Sequence, residues 1–304
     1  MKQKILRTAA ALALTAVLVL PARAARMLVP VGRVVGLSVA EGTVTVAAFD
    51  ETLGAAAQAA GMEIGDEIVA VDGAPIDTAA DLQQALRASD GTVELELRRK
   101  DRRYRLKVAP QLTGDGPKLG VFLREGVTGI GTVTYFDPGT GEFGALGHGV
   151  SDSHGKICVM DSGAVYRATV LGVRRGEPGS PGQLRGMVTD PAMLAALEKN
   201  TACGVFGQGG AWQGEALPVA EPDEVQVGEA QILSNIDGER VQSFSVAIRR
   251  RNLSPQSHGR DLLLEVTDPK LLQATGGIVA GMSGSPILQN GRLVGAVTHV
   301  CVRP

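Results

Sequence analysis

Aromatic side chains are scarce, 3% of 304 residues, whereas glycine occurs 40 times. That balance predicts short strands separated by many turns. Cysteine is scarce too. Cys158, Cys203 and Cys301 are odd in number and widely spaced, which fits neither a disulfide framework nor a zinc site and predicts buried thiols. Neither charge is in excess. A formal charge of −2 and a pI near 6.1 leave no electrostatic footprint for nucleic acid, so no such partner is expected. The basic cluster Arg98, Arg99, Lys100, Arg102 and Arg103 reads instead as a charged hairpin tip. One apolar run stands out, Ala9 to Leu20, and it is shorter than the roughly 20 residues of a comfortable membrane span. Lys2, Lys4 and Arg7 precede it, and Pro21 and Ala22-Arg23-Ala24 follow, so residues 1–26 are expected to be an export signal, with an uncleaved anchor as the alternative.

The length leaves room for two domains with separate cores. The most informative stretch is GIVAGMSGSPILQNG, Gly277 to Gly291. Ser283 and Ser285 sit among glycines before Pro286, a composition that makes a tight turn with backbone N–H groups pointing outward. Ile287-Leu288, the turn signal Asn290-Gly291 and the run from Leu293 to Val300 then predict a β-hairpin. A serine at the entrance of a hairpin is not the strand–turn–helix elbow of an α/β-hydrolase, whose second glycine position is here Ser285. It is compatible with a chymotrypsin-like site, in which histidine and aspartate precede a serine in a glycine turn.

Residues 27–110 read as a self-contained module. Val44 to Phe49 predicts a strand, Ala55 to Ala60 a short helix, and Ile68 to Val71 a strand closed by the turn Asp72-Gly73. Thr78 and Asp81 form a capping box for a helix through Leu82 and Leu86. Val93, Leu95 and Leu97 alternate with charged residues, the period of a half-buried strand. With AGMEIGDEIVAVDGAPI (Ala60 to Ile76) at its centre, this segment resembles a PDZ domain. The resemblance implies a peptide terminus captured by a loop and added as a strand beside a helix, with Thr78 to Ala88 as the helix and Val35-Gly36-Leu37 as the loop, a pattern that on residues alone reads equally as a strand end. Residues 111–118 are expected to be a polar linker.

Residues 119–304 carry hairpin grammar. Gly129 to Phe136, the turn Asp137-Pro138-Gly139 and Phe143 to Leu146 lead to GALGHGVSD, where His148 sits between glycines, open to a partner. Strands are expected at Val165 to Val173, around Gly204, and at Ala230 to Ile236, Val241 to Ile248 and Leu262 to Val266. Thr189-Asp190-Pro191 and Thr267-Asp268-Pro269 each read as a helix start with aspartate as N-cap; for Asp268, capping and catalysis are equally good readings.

TGIGTVTYFDP (Thr128 to Pro138), FGALGHGVSD (Phe143 to Asp152), NTACGVFG (Asn200 to Gly207) and TDPKLLQATGGIVAGMSGSP (Thr267 to Pro286) occur in one order, and with them the chain resembles the SpoIVB peptidase family. The resemblance implies a mainly β protein: an α+β PDZ domain followed by a chymotrypsin-like β-barrel serine peptidase domain at 119–304. It also implies His148 and Ser283 as catalytic pair, Asp268 as third member, and the backbone N–H groups of Gly281 and Ser283 as oxyanion hole. No metal or cofactor is implied. The substrate would be a peptide or protein, a membrane-associated regulator of an intramembrane metalloprotease, cut after export into the forespore intermembrane space or envelope to trigger late sigma-factor activation. Self-cleavage is also implied. The family's domain continues beyond the Thr298-His299-Val300 strand, so a chain ending at Pro304 is expected to be C-terminally shortened. A catalytically inactive PDZ–peptidase adaptor is the competing expectation.

Overall fold

The computed structural model describes residues 25–100, 102–152, 155–252 and 260–301; the expected export signal lies outside the described residues apart from its last two positions. In chain order, the long strand β1 (Met27–Phe49) leads to α1 (Ala55–Ala59), β2 (Glu67–Val71), β3 (Ala74–Pro75) and α2 (Ala79–Ala88). The hairpin β4 (Val93–Arg99) and β5 (Arg102–Val108) follows, then β6 (Gln111–Thr113) and β7 (Gly116–Lys118). The second long strand, β8 (Val121–Phe136), precedes β9 (Glu142–Leu146), β10 (Ser162–Arg174), β11 (Gln183–Thr201), β12 (Gly204–Gln208) and β13 (Leu217–Pro218). The last part holds β14 (Gly228–Ser234), β15 (Gln242–Arg251), β16 (Leu262–Val266), α3 (Pro269–Thr275), β17 (Pro286–Gln289) and β18 (Arg292–Ala296).

Strands β1, β8, β9, β12, β11 and β10 pair antiparallel in that sequence, and β10 pairs back to β1, so the sheet closes on itself as a barrel. Closure removes the open edges. A second, five-stranded sheet, β16-β15-β14-β17-β18, packs against it. The period-2 alternation of β1 divides its side chains between the two: Val35 and Val39 enter the barrel core with Val133, Phe143 and Leu197, while Val34 joins Ile232, Phe244, Met282 and Ile287 between the layers. The fold is therefore the chymotrypsin-like β architecture with a PDZ module attached.

The attachment differs from the expected boundaries. β1 runs from barrel to module as one strand: its residues up to Ala40 pair with barrel partners, and Thr45 to Phe49 pair with Arg124 to Val121 of β8. Val44, Val46, Val121 and Leu123 belong to the module's core with Ile68, Leu82, Leu86 and Leu95. The PDZ module is thus an insertion between two barrel strands, and residues 27–40 of the expected PDZ span build the barrel instead. The expected linker is ordered too. Residues 111–118 form the β6–β7 hairpin, tied to α2 by Gln83 Nε2 donating to Pro117 O (3.1 Å) and Arg87 to Asp115 O (3.2 Å).

Within the module local signals hold. Thr78 and Asp81 make the reciprocal capping box of α2, and the Asp72-Gly73 turn has both φ values positive, 48° and 82°, as a tight hairpin turn requires. The basic cluster lies at the β4–β5 tip, where Arg98 pairs with Glu67 and Arg99 with the buried Asp66. One predicted helix is a strand. Pro191 lies in β11, and Asp190 Oδ1 accepts from Ala192 N at 2.9 Å, a local turn at a ladder irregularity where Val188 pairs with Ala168 and Met193 with Tyr166. Asp-Pro punctuates a bulge as readily as it starts a helix, and the β10 partners of Val188 before it and Met193 after it decide for the strand.

Because β1 supplies a barrel strand, a fragment of residues 119–304 should lack cooperative unfolding, whereas residues 27–304 should melt in a single barrel-containing transition. Circular dichroism melts of the two decide it; a sharp, near-UV-detected transition in the shorter fragment would contradict the shared-strand architecture.

Candidate active site

The turn after α3 is built to present Ser283. Met282 is fully buried among the interlayer side chains, a burial contributing about 1.5–3 kcal/mol, and this anchors the middle of the turn. Gly281 and Gly284 flank it with φ of +96° and +97°, a region that residues with a Cβ avoid. The neighbouring N–H groups are used internally: Ala280 donates to Gly182 O, Met282 to Val279 O, Gly284 to Val297 O and Ser285 to Met282 O. The N–H groups of Gly281 and Ser283 have no acceptor among the described residues. An oxyanion hole draws on backbone donors of this kind, left without an internal acceptor. Ser283 is half-buried with its Oγ donating to Thr298 O at 2.9 Å. Ser285 is fully buried and its Oγ has no hydrogen-bond partner among the described residues, so it is not presented for attack as Ser283 is.

His148 comes from the closed barrel. Leu146 ends β9 with its N–H donating to Thr134 Oγ1 (2.9 Å), Gly147 N donates to Cys203 O (3.0 Å), and beyond the histidine Asn200 grips the chain, accepting from Val150 N (2.8 Å) and donating to Val150 O (2.9 Å). The imidazole itself is exposed, and its Nδ1 lies 3.2 Å from Gly149 O. The two loops meet at the junction of barrel and second sheet: a Cβ placed on Gly147 would be 3.4 Å from Ser283 Cβ. A second histidine shares this mouth. Burial holds the His299 imidazole below its ordinary range, and the charges of Arg260 and His148 push it the same way.

A family model of the SpoIVB peptidase S55 matches residues 116–304. The chain belongs to that family. A PDZ domain model matches residues 53–99, and a search of the curated proteins found no match. Family membership makes this chain a serine peptidase of the sporulation type, acting on peptide or protein substrates.

In this SpoIVB-type peptidase the other expected site residues lie elsewhere. Asp268 caps α3: its Oδ1 accepts from Leu271 N (3.0 Å) and its Oδ2 from Ser245 N (3.3 Å). Ser245 pairs with Gln231 and Gln231 with Leu288, so two interstrand steps of about 4.8 Å lie between Asp268's neighbour and the strand that follows Ser283. Among the described residues no carboxylate forms an ion pair with His148, and Asp268 makes no contact with it. Asp268 is thus a helix cap, while Ser283 and His148 stand on two adjoining loops, with Ser283 Oγ bonded to Thr298 O. Val35-Gly36-Leu37 is not a loop. It lies inside β1, paired with Arg167-Tyr166-Val165 on one side and Gly131-Ile130-Gly129 on the other, so its N–H groups face ladders. The same apolar-Gly-apolar pattern recurs at Leu119-Gly120-Val121, and there it starts the strand segment beside α2, with Glu125 accepting from Ala79 N. Of the thiols, Cys158 is buried and its pKa is pushed up to about 11, chiefly by burial and then by Glu41, whereas Cys203 and Cys301 are exposed, against expectation.

Nothing in the residue chemistry of Asn200 and Thr134 marks them; both lie in the family's motifs, and only the fold shows what they hold. Two measurements follow for Ser285 and Asp268. Ser285→Ala should leave peptidase activity within about twofold and stability unchanged or slightly raised, since it removes an unpaired buried hydroxyl. Asp268→Ala should cost about 1 kcal/mol and Asp268→Asn much less. The Asp268 carboxyl is held below the usual carboxylate range by Leu271 N–H and then Ser245 N–H, so its stabilisation is present above the ordinary pKa and lost as pH falls. The melting difference between wild type and Asp268→Ala should therefore shrink on acidification towards pH of about 3.

Proposed function

We propose that this chain is an exported serine endopeptidase of sporulation signalling, which cuts itself and a membrane-associated regulatory protein. The observation that carries the catalytic part is the approach of the Ser283 turn, with its two free N–H groups, to the His148 loop. Ser283 Oγ turns from Thr298 O towards the imidazole, which takes its proton as the oxygen attacks the peptide carbonyl. The C–N bond breaks as the imidazolium protonates the leaving amine, and a water activated by the same imidazole then releases the acyl group. Gly281 and Ser283 N–H receive the negative oxygen, worth about 2.7–4 kcal/mol per donor in comparable sites.

Export is supported by the basic start and the apolar run from Ala9 to Leu20, and in this reading the peptidase acts on the forespore intermembrane or envelope side. There the cut would free an intramembrane metalloprotease for processing of a late sigma-factor precursor. The PDZ module serves recognition in this reading: a peptide end adds along β8 at Val121 to Glu125, beside α2, with its carboxylate towards Leu119-Gly120-Val121.

Ser283→Ala and His148→Ala should each abolish cleavage of self and substrate while the melt is unchanged, and the double variant should be no worse, since the two act as a unit. Mass spectrometry of the secreted chain and of co-expressed substrate reads this out. Cleavage surviving Ser283→Ala would end the assignment.

A further inference from the structure

Strand β8 carries two buried hydroxyls that the chemistry above does not use. Thr132 and Thr134 are 0% and 1% exposed. Two residues apart, they share one face of the strand, while Val133 between them enters the barrel core. Their face is the one turned to the second sheet, because Val34, directly opposite Thr132 on β1, packs in the interlayer cluster. Thr132 Oγ1 donates to Gly281 O at 2.7 Å, and so fixes the peptide plane inside the Ser283 turn. Its own carbonyl closes on Gly284, where any Cβ would collide with it. Thr134 Oγ1 accepts from Leu146 N at 2.9 Å, two residues before His148. The turn of the nucleophile and the loop of the base are thus each bonded to neighbouring side chains on one face of one strand.

We propose that Thr132 and Thr134 are positioning residues that set the separation of Ser283 and His148, with β8 as the spacer. The proposal rests on Ser283 and His148 being the reacting pair. Two residues of strand hold the anchor points about 7 Å apart, a spacing that a paired backbone does not let drift. A bound geometry misplaced by about 1 Å can cost on the order of 10² in rate, and a lost oxyanion donor about 10²–10³. Neither hydroxyl touches substrate, so the effect belongs in kcat.

The test uses the full chain, a small chromogenic ester and a fluorophosphonate label. Thr132→Val keeps the shape and deletes the hydroxyl; it should lower kcat and the labelling rate by about 10² with KM within about threefold. Thr132→Ser restores the donor and should return to within about fivefold of wild type. Thr134→Val should also lower kcat, and the two losses should not multiply in the double variant, because each disturbs the same separation. Wild-type kcat in Thr132→Val, or a Thr132→Ser as slow as Thr132→Val, overturns the proposal. Should Thr132→Val fail to melt cooperatively, Thr132→Ser is compared with Thr132→Ala, and equal rates overturn it. A wild type that takes no label at Ser283 overturns the active-site assignment and this proposal together. A labelled wild type with an equally fast Thr132→Val overturns this proposal alone.

Discussion

The ladder between β1 and β8 is the interaction on which the rest depends. It pairs residues from Val29 to Phe49 with residues from Phe136 back to Val121, and it crosses from the barrel into the PDZ module through irregularities near Ala40–Thr45 and Val46–Ala48. One face of the paired strands closes the barrel core and the other seats the second sheet. Beyond the irregularities the same strands complete the module core. Three hydrophobic clusters therefore share two strands, and displacing either strand would open all three.

The meeting of the serine turn and the histidine loop is a consequence of that layering. The histidine loop leaves the closed barrel at β9, and the serine turn enters the second sheet at β17, so neither sheet alone holds both Ser283 and His148. Each loop is fixed by backbone hydrogen bonds and by a few polar side chains: the half-buried Asn200 and the buried Thr134 on the histidine side, the buried Thr132 on the serine side. Those polar groups are satisfied, as burial demands, and a hydroxyl bonded to a loop carbonyl specifies a distance in a way that apolar packing does not.

Shared strands also bear on how recognition meets chemistry. The segment Val121 to Glu125 beside α2 continues without a break into the residues that reach Gly281 and Leu146. A module joined by a flexible tether could turn freely. Here the chain leaves and re-enters the barrel in register, and the β6–β7 hairpin is fastened to α2.

The sequence by itself determined what is local. Asp72-Gly73 and Asn290-Gly291 made their turns, Thr78 its capping box and Asp268 its cap, because each depends on residues within one turn of chain. The order of motifs also determined the family. Tertiary structure decided the rest. Val35-Gly36-Leu37 and Leu119-Gly120-Val121 carry the same pattern, and only strand pairing distinguishes a barrel interior from the start of a groove strand. Thr189-Asp190-Pro191 and Thr267-Asp268-Pro269 are equivalent signals, yet pairing with β10 at Val188 before it and Met193 after it holds the first in a strand while the second, at the end of β16, is free to start a helix. Ser283 and Ser285 are alike in composition, and burial of one of them behind Met282 leaves the other at the surface of the site. In each case the deciding energy comes from partners far away in sequence, which no window along the chain contains.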